Sequence, residues 1–195
     1  MAEDNEFHVH HYREMYERSR NMFDMNDIMK KAGIIQGIKV AELGCGPGAF
    51  TIPIAESVSK NGMVFAVDKN SEALEMLRER LKEKNLEGVV KTLQEPMEST
   101  SIQDHSVDVI FLANVFHDIT NHQLFFREAR RILKKGGKLV DLDWKKTGSG
   151  FGPPFSIRLN PDEARAIFEK HGLTVIHEED MQNDHYLLIV KPDNS

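Results

Sequence analysis

The chain has 195 residues, enough for one domain at about 150 residues per domain, and its 40% hydrophobic and 29% charged residues are ordinary globular composition. A single cysteine, Cys45, excludes a disulfide framework and a cysteine-based zinc cluster, and fits a reducing, cytoplasmic setting. A net charge of -6 argues against broad nucleic-acid binding, which needs a basic face to displace counterions, and leaves a small molecule as the expected partner. No membrane span is expected: the longest nearly apolar run, 109–116, is broken by Asn114 and falls far short of the roughly 20 residues that cross a bilayer. Residues 1–6 carry three acids, the reverse of a signal peptide's basic start.

Residues 10–33 read as one or two helices with Met15, Met22, Met25 and Met29 at nearly heptad spacing. Residues 1–33 are therefore expected to form a helical cap, either packed by its methionines on the main domain or closing as a lid over a site. From residue 34 onward β-branched runs alternate with amphipathic stretches, the pattern of a parallel α/β sheet, so 34–195 is expected to be one α/β domain. Strands are predicted at 39–43, 63–67, 89–93, 107–112, 138–143, 173–178 and 185–190, with helices at 47–59, 71–84, 121–134 and 161–171. Gly136-Gly137 is expected to close the third of these helices. Asn160, Pro161 and Glu163 form a capping box with proline at the first helical position, and Gly172 ends that helix. The turn at 180–184 is too short for a parallel crossover, so the last two strands should form an antiparallel hairpin. The irregular stretch 145–159, rich in glycine and proline, follows the fifth strand on the side where such sheets bind ligands.

The most informative segment is Val40-Ala41-Glu42-Leu43-Gly44-Cys45-Gly46-Pro47-Gly48, which places three glycines directly after a strand and before a helix. Glycine there permits a tight turn and lets a ligand approach backbone atoms that a Cβ would shield. Asp68 ends the next strand 24 residues after Gly44, where a carboxylate accepts both hydroxyls of a ribose. Two nucleotide-type cofactors fit such a loop. A dinucleotide is disfavoured by the early third glycine, by the donor lost at Pro47, by the negative charge of Glu42 and by the lack of a separate substrate domain. A cofactor carrying a sulfonium and an ammonium suits Glu42 better.

These residues resemble motif I of the class I S-adenosylmethionine-dependent methyltransferases. The resemblance continues through Ala66-Val67-Asp68, Val107-Asp108-Val109-Ile110, Asn114-Val115-Phe116-His117 and Arg131-Ile132-Leu133-Lys134-Lys135-Gly136-Gly137-Lys138-Leu139, covering roughly residues 34–145. It is similar in particular to small bacterial and archaeal "type 11" methyltransferase-domain proteins, whose tail resembles Asp143-Trp144-Lys145-Lys146 through Gly152-Pro153-Pro154 to His185-Tyr186. The resemblance implies a Rossmann-like seven-stranded sheet in the order 3-2-1-4-5-7-6, strand 7 antiparallel, with helices on both faces. It implies S-adenosyl-L-methionine as cofactor, with Gly44, Gly46 and Gly48 lining its methionine part and Glu42 beneath its amino group. Asp68 would hold the ribose, with Lys69 beside the adenine. Glu95 would meet the adenine amino group, in place of the family's usual aspartate, and Met97 would stack. Asn114 would reach the cofactor chiefly through its backbone.

His117 and Asp118 follow the fourth strand, where the family admits substrate, which makes His117 the candidate base and otherwise a polar residue closing a loop. Lys145, Tyr186 and Trp144 are candidate substrate contacts, Trp144 either covering the acceptor or packing under the glycine-rich loop, as are His11 and Tyr12 if the N-terminus folds over the cofactor. Asp141 and Asp143 share a strand face, either as carboxylates near the site or as a structural pair. No metal is expected, because the His8, His10 and His11 cluster lacks supporting carboxylates or cysteines. The chain lacks the Asn/Asp-Pro-Pro-Tyr/Phe motif of exocyclic-amine methylation and the several cysteines of arsenite methylation. The expected activity is methyl transfer to a small-molecule or lipid-like acceptor. The alternative is a non-catalytic S-adenosylmethionine- or S-adenosylhomocysteine-binding regulator.

Overall fold

The computed structural model describes residues 13–14, 16–147, 152–182 and 184–193. The expectations for His8, His10, His11, Tyr12 and Met15 lie outside the described residues. Helical backbone at 13–14 and 16–19 is followed by α1 (Met25–Ala32), β1 (Lys39–Leu43), α2 (Thr51–Val58), β2 (Met63–Asp68) and α3 (Ser71–Glu83). Next come β3 (Val90–Gln94), β4 (Val107–Ala113), a 3-10 turn (Phe116–Asp118) and α4 (His122–Ile132). The chain ends with β5 (Leu133–Trp144), α5 (Pro161–Lys170), β6 (Leu173–Met181) and β7 (His185–Pro192).

The strands form one sheet in the order β3-β2-β1-β4-β5-β7-β6. Pairing is parallel from β3 through β5, and β7 lies antiparallel between β5 and β6, as the short turn between the last two strands required. Because β1 pairs β2 on one side and β4 on the other, the order reverses at β1, and a crevice opens beyond the carboxyl ends of β1 and β4. Ile28, Met29 and Ala32 of α1 join α2 and α3 in one apolar layer, with Val40 and Val140 from the sheet. The opposite layer holds Phe116, Phe125, Phe126 and Phe168 with Leu139 and Tyr186.

Local signals account for the element ends. Asp24 Oδ1 accepts from Asn26 N–H at 3.0 Å and Asp27 N–H at 3.2 Å, starting a fresh helix, and Gly33 stops it in the left-handed region. The capping box at Asn160 and Glu163 is present. Two boundaries differ from expectation. The second helix starts at Thr51 rather than residue 47, because Gly46 and Gly48, with φ of 51° and 93°, hold the chain as a loop. The fifth strand starts at Leu133 rather than residue 138: Leu133 pairs with Val107, and a bulge between Val107 and Val109 takes the Gly136-Gly137 step into the strand.

Phe116 is fully buried, stacked on Phe168 at 4.5 Å and edge-on to Phe125 and Phe126 at 6.4 and 6.3 Å. Phe116→Ala should cost about 3–5 kcal/mol in urea unfolding. A cost below about 1 kcal/mol would mean that the cluster repacks around the gap.

Candidate active site

A cleft of about 420 Å³ lies at the carboxyl ends of β1, β2 and β4. Its floor is the loop after β1, which is stitched to β2 by Gly44 and Cys45 N–H groups donating to the Val67 carbonyl at 2.8 and 3.0 Å. Gly44 has φ of 80°, and a Cβ there would meet Val115 Cγ2 at 2.6 Å. Gly46 donates its N–H to Asp68 Oδ2 at 2.8 Å, while Asn70 N–H donates to Oδ1 at 2.9 Å. The Asp68 carboxylate is thus oriented by two backbone donors, and its remaining lone pairs are available to a ligand. A Cβ on Gly46 would meet no protein atom within 4 Å, so glycine there keeps the floor clear.

Lys69, Glu95, Met97 and Asn114 also line this cleft. Glu95 Oε2 accepts from Ser101 N–H at 2.7 Å, which folds the 95–106 connection back on itself. Two expected cofactor residues lie off the lining. Gly48 packs under the Leu77 side chain, so its missing Cβ serves the contact between loop and α3. Glu42, 1% exposed, sits below the loop and accepts from Thr51 Oγ1 at 2.5 Å. Burial pushes its pKa up to about 8; the Thr51 hydrogen bond works against that rise and the charge of Asp68 adds to it. Burial thus favours the neutral form of Glu42 over the free negative charge expected from its position in the motif.

A second cleft, of about 470 Å³, is walled by Arg18, Met22, His117, Trp144, Pro153 and Pro154 and shares Ser19, Asn114 and Asp118 with the first. The His117 side chain is 5% exposed, with Nδ1 at 2.7 Å from Asp143 Oδ1 and Nε2 at 3.7 Å from Asp118 Oδ2. Burial by itself lowers its pKa, but the Asp143 hydrogen bond and the charges of Asp143 and Asp118 outweigh burial and raise it. Asn114, in the left-handed region at φ 57°, donates its N–H to the Leu142 carbonyl, and its Oδ1 lies 2.9 Å from His185 Nε2. The Trp144 ring is tilted by 45° against the His185 ring, with the ring centroids 3.9 Å apart.

Lys145 and Tyr186, expected as substrate contacts, line neither cleft. Lys145 pairs with Asp180. Tyr186 is registered opposite Asp143 and turned into the apolar layer, where its hydroxyl donates to Asp141 Oδ2 at 3.0 Å. Asp141 is itself buried, and burial together with the charge of Asp143 raises its pKa well above the carboxylate range.

Sequence reasoning did not find Tyr16, Ser19 or His185. The Arg80 guanidinium lies 3.8 Å over the Tyr16 ring and donates to the Pro47 carbonyl at 2.9 Å, which ties the N-terminal helical segment to the glycine loop. No spacing signal links residues so far apart in the chain.

Residues 41–141 match the family described as a methyltransferase domain. Ubiquinone/menaquinone biosynthesis C-methyltransferase UbiE of Shewanella pealeana is 31% identical over 135 residues, covering 63% of this chain and 54% of that protein. The chain spans about half the length of the curated relatives it matches. Among solved structures, a SAM-dependent methyltransferase from Aquifex aeolicus shares the fold with a TM-score of 0.86 at 24% identity, covering 93% of this chain and 97% of that one. A protein from Sulfolobus solfataricus described as a type 11 methyltransferase gives 0.71 at 29% identity, over 86% and 90% of the two chains.

Proposed function

The chain belongs to the class I S-adenosylmethionine-dependent methyltransferases, and on that premise we propose that it methylates a small, largely apolar acceptor carrying an ionisable hydroxyl. The observation that carries this reading is the wall of Ser19, Asn114 and Asp118 common to both clefts, where a ligand in one meets a ligand in the other. S-adenosylmethionine in the first cleft supplies a methyl group activated on a sulfonium. Asp68 accepts the ribose hydroxyls, the glycine loop carries the methionine part above Glu42, and Lys69, Glu95 and Met97 surround the adenine. Met22, Trp144, Pro153 and Pro154 hold the acceptor against that wall, and such alignment can contribute on the order of 7–11 kcal/mol to the barrier.

His117 is the base. Its Nε2 takes the hydroxyl proton while the electron pair stays on the acceptor, with Asp118 beside it on the cleft wall. The described part of residues 1–33 acts as the cap and brings Tyr16, Ser19 and Met22 to the clefts. The role of curated relatives in ubiquinone and menaquinone biosynthesis supports a quinone-related acceptor as the first to try.

Incubation with methyl-labelled S-adenosylmethionine and a panel of quinols and phenols should label a hydroxylated acceptor. His117→Ala should lower that turnover by about 10²–10⁴-fold while calorimetry finds cofactor affinity unchanged. A loss of less than about tenfold would remove His117 as base. Binding of NAD without binding of S-adenosylmethionine would overturn the cofactor reading.

A further inference from the structure

We propose that Asp143 is a positioning residue that holds the His117 imidazole as its Nδ1–H tautomer and leaves Nε2 as the proton acceptor on the wall of the second cleft. The inference rests on the methyl-transfer reading of that cleft. Asp143 sits near the carboxyl end of β5, next to β4, whose continuation carries His117 on the 3-10 turn. One buried carboxylate grips both the main chain and the side chain of His117. Oδ2 accepts the His117 backbone N–H at 3.0 Å, and Oδ1 lies 2.7 Å from Nδ1. Oδ1 also accepts the Trp144 backbone N–H at 2.7 Å, so the carboxylate cannot turn without breaking the start of the acceptor wall.

An ionised carboxylate only accepts hydrogen bonds, so the ring nitrogen facing it carries the hydrogen. In the neutral ring that is the single ring proton, and the lone pair then sits on Nε2. Asp141, two residues back on the same strand face, decides where the charge lies. It is fully buried, accepts from the Tyr186 hydroxyl, and its Oδ1 has no hydrogen-bond partner among the described residues. Burial, and after it the charge of Asp143, favour the protonated form of Asp141, and the Asp143 carboxylate, held by the His117 and Trp144 backbone N–H groups, is the one that faces His117. The other charged groups around the imidazole are Asp118, which favours its protonation, Arg158, which opposes it, and Arg18 and Glu14 on the same cleft wall. In the proton step the acceptor O–H bond breaks with its electron pair left on oxygen, an N–H bond forms at Nε2, and the imidazolium returns the proton to solvent through the cleft.

The test is nitrogen-15 NMR of the full chain, with the His117 ring signals identified by their loss in His117→Gln. In the unaltered protein the neutral ring should be the Nδ1–H tautomer; a predominant Nε2–H tautomer overturns the proposal, and this measurement needs no variant of Asp143. In Asp143→Asn, His117 should titrate at a lower pH, because the charge that favours the imidazolium is gone. With a labelled-methyl assay on a quinol acceptor, the plateau rate should fall by about 10²–10⁴-fold, and the acidic limb of the pH profile should move to lower pH. An unchanged titration or an unmoved limb overturns the positioning role. Failure of the methyl-transfer reading is separate: no quinol or phenol is then methylated by the unaltered protein, while the tautomer and titration results still decide whether Asp143 holds His117.

Discussion

Raising the pH from about 5 to about 8 should lower folding stability through Glu42 by on the order of 3–4 kcal/mol, and Glu42→Gln should remove that share of the loss. The cause is burial. Glu42 is 1% exposed under the glycine loop, and its only described side-chain partner, the Thr51 hydroxyl, lowers the pKa too little to offset desolvation. The sign follows from proton counts. Above the ordinary value of 4.5 the unfolded chain has released the Glu42 proton, whereas the folded chain keeps it until about pH 8. The folded state therefore binds more protons across that window, and stability falls as the pH rises. Glutamine has the shape and the acceptor for Thr51 without the charge. Asp141 is raised for the same reason and adds its own slope, so the readout is the difference between the unaltered protein and Glu42→Gln in urea unfolding at several pH values. Equal slopes for the two would place the buried proton elsewhere.

Asp68→Ala should weaken S-adenosylmethionine binding by about 3–6 kcal/mol, roughly 10²–10⁴-fold, at 1.5–3 kcal/mol for each of two hydrogen bonds to a charged group. Both carboxylate oxygens are held by backbone donors, Gly46 N–H and Asn70 N–H, so the group is oriented before any ligand arrives. Its loss would remove the proposed ribose contacts and free a loop that the ligand must then order itself. Because Gly46 lines an open cleft, water can replace the carboxylate, and the fold should survive. Calorimetry on Asp68→Ala with Asp68→Asn beside it reads the effect, the asparagine falling between alanine and the native residue. Unchanged affinity in the alanine variant would mean that the ribose lies elsewhere.

What could be read in the sequence was whatever a few neighbouring residues encode. The β-branched runs mark all seven strands, and the short turn before His185 dictates the antiparallel hairpin. Asn160 with Glu163 announces the start of α5. The glycines after β1 and Asp68 at the end of β2 are similarly local, because each depends on its own φ value or its place on one strand. The helix that would end at Gly136-Gly137 ends instead at Ile132, because Leu133 finds a pairing partner in Val107, a choice made between segments.

The same divide runs through the site. His117 could be nominated from its place after β4, but its partner Asp143 depends on how β5 pairs with β4. Tyr186 looked like a substrate contact, yet the register opposite Asp143 turns it into the core. Tyr16, Ser19 and Met22 reach the clefts only because the N-terminal segment packs beside the glycine loop, where Arg80 lies over the Tyr16 ring and donates to the Pro47 carbonyl. The strands and the glycine loop were legible in the residues alone, because propensity, capping and turn geometry act over a few residues. Which face each strand presents, which carboxylate keeps its proton and which side chains close the second cleft were decided by tertiary structure. Register, burial and charge proximity arise only when distant segments pack together.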